Sequence, residues 1–541
     1  MESSTSNVKV SRVWLLISLM AIAKLLIHFF TSTNYGLHRD AYLYIAQSEH
    51  LAWGFISVPP FTAAAISLSR WLFGDSEFAL RIFPALIGAI NIIFIGFTVK
   101  EMRGRYLAIF LACSAYLLSP AFLRSNALLQ PVSFNQMFWL IAAYLVVKII
   151  ATRDPKYWMG IGLVAGLGFL NKYSILFLFA GLFLALLSTT ERKWFTSRFL
   201  YLGLIIGMLI ALPNIMWQYY HNWPIISHMK ELRETQLVNV SYGSFFLMQL
   251  MMNMSVILIW IAGIVFFFFM KKGKDFRILG YTFLFTTLII LFLQGKPYYT
   301  LGLYPILFAG GGIAFEYCFA LRFRAVPYIA VGLSILLLIP ILPFSLPLYS
   351  HEKMVDYGEW ASKKGMKDLL KWEDGKYYPL PQDYADMTGW EEMVAKTADL
   401  YHSLSKEEQQ RCLIFGGSYG HAGALNFYRT KYELPETVSF NGSFIFWVPD
   451  TLVAEILILI DDHQHQTSPY YRSVQLIDSV ENPFARDPGY IHLYSDTIGD
   501  MSLYWKMLVK ERKMEFSRKI KRAVKKELKA ARQHKNPKKE N

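Results

Sequence analysis

Residues 38–42 read His38-Arg39-Asp40-Ala41-Tyr42 and stand a few residues beyond an apolar run at 13–30. A carboxylate at the exit of a membrane-spanning run sits at the boundary of lipid and water. There it can take the proton of a hydroxyl acceptor while a lipid-borne phosphate leaves. A leaving phosphate needs charge stabilisation more than it needs an acid. Lys172 in Asn171-Lys172-Tyr173 and Lys296 in Lys296-Pro297-Tyr298-Tyr299 lie at the ends of apolar runs, at the depth of a lipid phosphate, with Arg81 and Arg124 as further cations. Tyr42, Trp53, Tyr298 and Tyr299 are aromatic residues of the same outer segments.

Each residue also has a plainer reading. Asp is a favoured N-cap, so Asp40 can cap a helix that begins at Ala41. A lysine at a membrane end ordinarily snorkels to the head groups. His38, Asp40, Glu49 and His50 could flank a metal, but their spacing is loose, and neither a metal nor any other cofactor is assigned. Lys24 and His28 fall four apart on one face of the first helix, a functional candidate within a membrane. Gly416-Gly417-Ser418-Tyr419-Gly420 lacks the spacing and the following Lys and Ser/Thr of a phosphate-cradling loop and reads as a turn.

The elements that must hold these residues are membrane helices. Of 541 residues, 54% are hydrophobic, 16% aromatic and only 17% charged, a membrane composition. Apolar runs fall at approximately 13–31, 79–99, 106–122, 134–150, 158–170, 174–189, 199–216, 244–270, 278–294, 299–319 and 325–347. The expected fold is an all-α polytopic membrane protein of about eleven transmembrane helices, with a small C-terminal α/β extracytoplasmic domain. No small-residue cleavage site follows the first run, which reads as an uncleaved helix. Lys/Arg clusters recur in every second short loop, at 100–105, 153–156, 192–198, 271–277 and 322–324, which predicts a cytoplasmic N-terminus and an outward-facing C-terminal domain. The chain divides into a core over 1–347 with a first outer loop at 32–78, an outer domain over 348–500 and a basic tail over 501–541. The aromatic periodicity of the first outer loop suits amphipathic segments lying along the interface.

Within the outer domain, 411–415, 444–448 and 455–460 read as strands and 422–428 as a helix. The tail reads as a basic helix over 505–532. It carries fifteen Lys/Arg against four Glu, so +11 of the net charge of +14 resides there. The near-neutral remainder excludes a nucleic-acid face, and the tail suits anionic membrane lipids. Three isolated cysteines make neither a disulfide framework nor a zinc cluster.

The order of the motifs resembles the membrane glycosyltransferase superfamily of the protein O-mannosyltransferase and aminoarabinose-transferase type (family 39-like). The likeness is carried by Asp40 with Tyr42 and Tyr44, Trp53-Gly54 with Pro59-Pro60, Gly166-Leu167-Gly168 running into Asn171-Lys172-Tyr173, and Lys296-Pro297-Tyr298-Tyr299. It covers roughly residues 10–320. Three positions depart from the pattern: Ala41 where Glu often follows the Asp, Val58 where the aminoarabinose branch has Lys, and Gln130-Pro131-Val132 where many relatives have an Asp.

The resemblance implies a cell-envelope enzyme of the inner or plasma membrane. It would move a sugar from a polyprenyl-phosphate carrier to a lipid, glycan or protein hydroxyl on the outer face by metal-independent single displacement. Asp40 would be the base, Lys172, Lys296, Arg81 and Arg124 would hold the donor phosphate, and Tyr42, Trp53, Tyr298 and Tyr299 would line the sugar site. The competing class is a transporter or flippase of lipid-linked saccharides. Such proteins show paired repeats and midplane ionisable groups, whereas this chain has no internal repeat and gathers its polar residues at one face.

Overall fold

The structure, a computed structural model, describes residues 2–31, 34–452 and 454–517, with the backbone alone for residues 2–11. The apolar runs are helical because lipid offers unpaired backbone N–H and C=O groups no partner. Among the described residues, six helices are long and apolar enough to cross a membrane: Arg12–Thr31, Glu77–Glu101, Pro131–Thr152, Arg198–Tyr220, Lys271–Phe292 and Pro297–Phe319. Three bent pairs raise the number to nine if each is one span, with bends of 59°, 108° and 66°. The first bend falls at Ser119, held extended at ψ 124° ahead of Pro120; a residue before proline is pushed out of the helical region. Tyr157–Asn171 and Val326–Leu338 are apolar but have only 15 and 13 residues. A 13-residue helix rises about 20 Å, short of a hydrocarbon core of about 30 Å. The expected runs are helical over most of their length, and among the described residues six to nine of them qualify as spans by length and composition, against the eleven expected.

Contacts divide the chain into two units. The first comprises Met1–Tyr35, Ala64–Leu212 and Leu232–Tyr384 and contains most of the apolar helices. Its helices approach closely where glycine allows it. A Cβ on Gly263 would meet the Leu307 carbonyl oxygen at 2.0 Å, and one on Gly311 would meet that of Ile259 at 1.9 Å, so Ile257–Phe269 and Tyr304–Phe319 pack backbone to backbone.

Buried Glu316 caps the helix Tyr106–Leu117 from a distance. Its Oε2 accepts the backbone N–H of Arg105 at 2.9 Å and its Oε1 that of Ala108 at 3.2 Å. These are donors that no helical carbonyl can reach. Glu316→Ala should lower stability by about 2 kcal/mol, the cost of leaving such groups unsatisfied. The loss is read as a lower thermal midpoint in detergent, with Glu316→Gln intermediate; an unmoved midpoint in the alanine variant would discount the cap.

The second unit comprises Gly36–Ala63, Pro213–Glu231 and Ala385–Asn541. The units follow contacts and so cut across the sequence positions 347 and 500. A four-stranded mixed sheet lies in the second: β1 (Cys412–Gly416), β2 (Ile456–Asp461), β3 (Tyr471–Asp478) and β4 (Tyr490–Thr497), in the order β1-β2-β4-β3. β1 and β2 are parallel, and β4 runs antiparallel to both of its neighbours. The runs 411–415 and 455–460 are thus strands, and the expected helix at 422–428 extends back to Tyr419. The run 444–448 is not a strand: Gly442–Phe446 forms a 3-10 helix. Its Ser443 hydroxyl is anchored by the N–H of Ile56 at 3.1 Å and the Gln47 amide at 3.4 Å.

The helix Arg39–Glu49 also departs from expectation. Residues 41–48 are all buried, with Leu43 and Ala46 packed on Ala422 and Phe444, so this helix is a core element of its unit rather than an interfacial segment. The tail begins inside the unit too. Trp505 and Val509 of the helix Met501–Glu515 pack with Leu413, Val438 and Val448, and the Lys513 ammonium reaches the Val448 carbonyl at 2.6 Å. The expected basic helix beyond residue 517 lies outside the described residues.

Candidate active site

Asp40 occupies the first turn of Arg39–Glu49, where a negative charge suits the positive end of the helix. It is not the cap. His38 takes that position in extended conformation, and its Nδ1 accepts the N–H of Asp40 at 3.1 Å. The Asp40 carboxylate instead accepts a hydrogen bond from the Tyr419 hydroxyl at 2.8 Å. Burial, followed by the Asp40 charge, raises the Tyr419 hydroxyl well above its ordinary pKa, so it stays protonated and remains a donor.

Ionic groups of the same unit surround this pair. The Arg39 guanidinium lies 5.0 Å from the Tyr419 ring centre, with Nε 3.8 Å from Asp487 Oδ2. Burial opposes its charge, but Tyr419, Asp487, Asp386 and Asp462 outweigh that penalty and raise its pKa. Asp386 is pinned by Arg486, whose Nη1 lies 2.9 and 3.1 Å from the two carboxylate oxygens, and His38 Nε2 lies 3.6 Å away. Burial raises the Asp386 carboxyl despite both partners. The result is a half-buried carboxylate oriented by a hydroxyl donor, an arrangement that can accept a proton in a fixed direction.

The remaining loop residues divide. Tyr42 is 1% exposed and packs on Trp390 and Phe427, so its ring belongs to the core of this unit and has no surface to offer a sugar. Trp53 is 59% exposed, and its carbonyl is held by the Asn214 amide at 2.7 Å. His38 faces Asp386 while His50 stacks on Trp447, so these two histidines turn to different partners.

In the first unit, Lys172 ends the helix Tyr157–Asn171, and its ammonium lies over Tyr298 and Tyr299, 5.2 and 5.0 Å from the ring centres. Lys296 pairs with Glu373 at 2.5 Å and lies 5.9 Å from the Tyr298 ring. The two lysines and two tyrosines are thus gathered as a group. Gln249 pins their segment through the Pro297 carbonyl at 3.1 Å and the Thr300 hydroxyl at 2.7 Å. Arg124 pairs with Asp383, and Arg81, 7% exposed, donates to the Tyr35 carbonyl at 3.0 Å. Lys24 is fully buried and donates to the Phe122 carbonyl at 2.9 Å, an internal structural partner.

Sequence reading missed Tyr419, Glu373 and Asp383. The signal for Tyr419 was its place in the glycine-rich turn. That turn is shaped by close approach, since a Cβ on Gly416 would meet the Ala422 nitrogen at 2.5 Å, and it delivers Ser418 as the cap of Tyr419–Tyr428.

The family described as dolichyl-phosphate-mannose-protein mannosyltransferase matches residues 57–217. That segment includes Arg81, Arg124 and Lys172 and begins after Asp40. Lipid A galacturonosyltransferase RgtD of Rhizobium johnstonii is 25% identical over 209 residues, 38% of this chain; the match spans 42% of that relative's length. The crystal structure of ArnT from Cupriavidus metallidurans bound to undecaprenyl phosphate superposes with a TM-score of 0.56 at 14% identity, covering 89% of this chain and 97% of that one. Its apo state gives 0.55 at 14% identity, covering 90% and 98%. The chain therefore has an ArnT-like membrane fold, and the resemblance to membrane glycosyltransferases read from its motifs is supported.

Proposed function

We propose that this chain is an integral-membrane glycosyltransferase that moves a sugar from a polyprenyl-phosphate carrier to a hydroxyl acceptor. The observation that carries the reading is Asp40, a carboxylate in the first turn of a buried helix, oriented by Tyr419 and relieved of any capping duty. Asp40 takes the acceptor proton as the acceptor oxygen attacks the anomeric carbon. The bond from that carbon to the carrier phosphate breaks, and the carrier departs as polyprenyl phosphate. Lys172 and Lys296 supply the cationic partners of the phosphate, and Tyr298 and Tyr299 its aromatic surroundings. No step needs a metal.

Likeness of fold to a protein bound to undecaprenyl phosphate supports a polyprenyl carrier. The lipid A galacturonosyltransferase relative favours a lipid acceptor over a glycan or a protein. The basic loops support a cell-membrane orientation with the N-terminus cytoplasmic and transfer on the outer face.

The test is direct: the purified chain is given a polyprenyl-phosphate sugar and a lipid acceptor, and the products are followed by mass spectrometry. Glycosylated acceptor and free polyprenyl phosphate should appear in equal amounts. Intact donor carried across a vesicle bilayer without any release of polyprenyl phosphate would replace the transferase with a flippase. Reporter fusions after residues 104 and 400 should report the cytoplasm and the outer side respectively; a cytoplasmic signal at 400 would overturn the outward active face.

A further inference from the structure

Three side chains outside the proposed reaction converge at the carboxyl end of the parallel pair β1–β2. His421 lies in the first turn of Tyr419–Tyr428, Asp462 directly follows β2, and Asp487 lies in the connection from β3 to β4. One donor atom from each lies within 4.8 Å of the others, and His421 Nε2 is 3.2 Å from Asp462 Oδ1. His421 is fully buried, yet neither ring nitrogen has a hydrogen-bond partner among the described residues, and neither do Asp462 Oδ1 and Asp487 Oδ2. Buried polar atoms are nearly always paired. Here atoms of three residues from three separate segments, in ionic contact but without a hydrogen bond, share one small space.

We propose that His421, Asp462 and Asp487 form a binding site for one divalent transition-metal ion of the zinc class. One imidazole and two carboxylates are a donor set that such ions accept, with a position left open. Ligands on a tetrahedral ion with bonds of about 2.1 Å lie about 3.4 Å apart. The His421–Asp462 separation already fits, and Asp487, within 4.8 Å of both, has at most about 1.4 Å to close. Burial lowers the His421 pKa despite the neighbouring carboxylates, which keeps the imidazole in the neutral form that ligates.

Two cations oppose the site: Arg39, 3.8 Å from Asp487 Oδ2, and Arg486, which also feels Asp487 but is paired with Asp386. Asp461, Asp462, Asp487 and Asp386 outnumber them, so the local balance still attracts a cation. The carboxyl end of adjacent parallel strands is also where open α/β sheets ordinarily place ligands. The ion would tie β2 and the β3–β4 connection to the first turn of the helix that carries Tyr419. The site stands apart from the transferase reading, since binding is measured without turnover.

The full chain, purified in detergent and stripped of metal, is titrated with Zn²⁺ by calorimetry, and its thermal midpoint is followed with and without the ion. One Zn²⁺ per chain and a raised midpoint are expected. His421→Gln and Asp487→Asn should each weaken binding by at least about tenfold and abolish the rise in midpoint. The control is His463→Gln with His465→Gln, two neighbouring histidines around Asp461 that the site does not use; these should leave binding intact. Should His421→Gln fail to fold, Asp487→Asn, on a connecting segment, carries the test. Absence of stoichiometric binding in the unaltered chain would overturn the site in favour of ordered water, and binding that follows His463 and His465 would overturn the assignment.

Discussion

Asp40→Asn lowers sugar transfer by at least about a hundredfold while expression and donor binding stay intact. An acceptor hydroxyl is a poor nucleophile until its proton is removed, and a positioned base contributes about 10²- to 10⁴-fold, roughly 3–5 kcal/mol. The structure makes this substitution cleaner than the sequence could promise. The N-cap is His38, so the asparagine variant loses no cap. The side-chain oxygen of asparagine can still accept from the Tyr419 hydroxyl that Asp40 meets at 2.8 Å. Basicity is therefore the property that changes. Glu49→Gln is the control, at the exposed far end of the same helix. Normal transfer by Asp40→Asn with a verified donor and acceptor would remove the base from the mechanism. A loss in Glu49→Gln alone would mean that the wrong carboxylate of this helix had been chosen.

The spanning helices were legible because hydropathy over roughly twenty residues reports burial in lipid without regard to tertiary partners. The same averaging hides bends. Ser119-Pro120 interrupts the helical ladder while leaving the mean hydropathy of its run high, so one expected span is a pair bent by 59°. The candidate site was legible in part. Asp40 stood out by its place after the first apolar run, but its partner Tyr419 is 379 residues away in sequence, beyond the reach of any local pattern. The same separation explains Tyr42. An aromatic residue in a polar loop reads as a sugar platform until residues of the distant Tyr419–Tyr428 helix are seen to cover it. Counter-ions were equally hidden. Lys296 and Arg124 read as unpaired cations at membrane ends, while Glu373 and Asp383, which pair with them, sit in a stretch with no motif of its own.

Those counter-ions sharpen the second large effect. Lys172→Ala and Lys296→Ala should each weaken donor binding about tenfold, and the double variant about a hundredfold, since a hydrogen bond to a charged group is worth about 1.5–3 kcal/mol. Arginine at either position keeps the charge, though in a planar fork, and should retain more binding than alanine. Lys296 pairs with Glu373, whereas the Lys172 ammonium lies over two tyrosine rings. An incoming phosphate therefore competes with a carboxylate at one lysine and with an aromatic face at the other. Glu373→Gln separates the readings. If Lys296 binds phosphate, removing its competitor tightens donor binding. If Lys296 is a membrane anchor or a structural ion pair, the same change leaves the donor constant where it was and shows only in the thermal midpoint. Donor binding unaltered in both alanine variants and in Glu373→Gln would take the carrier phosphate away from this group and turn the search to Arg81 and Arg124.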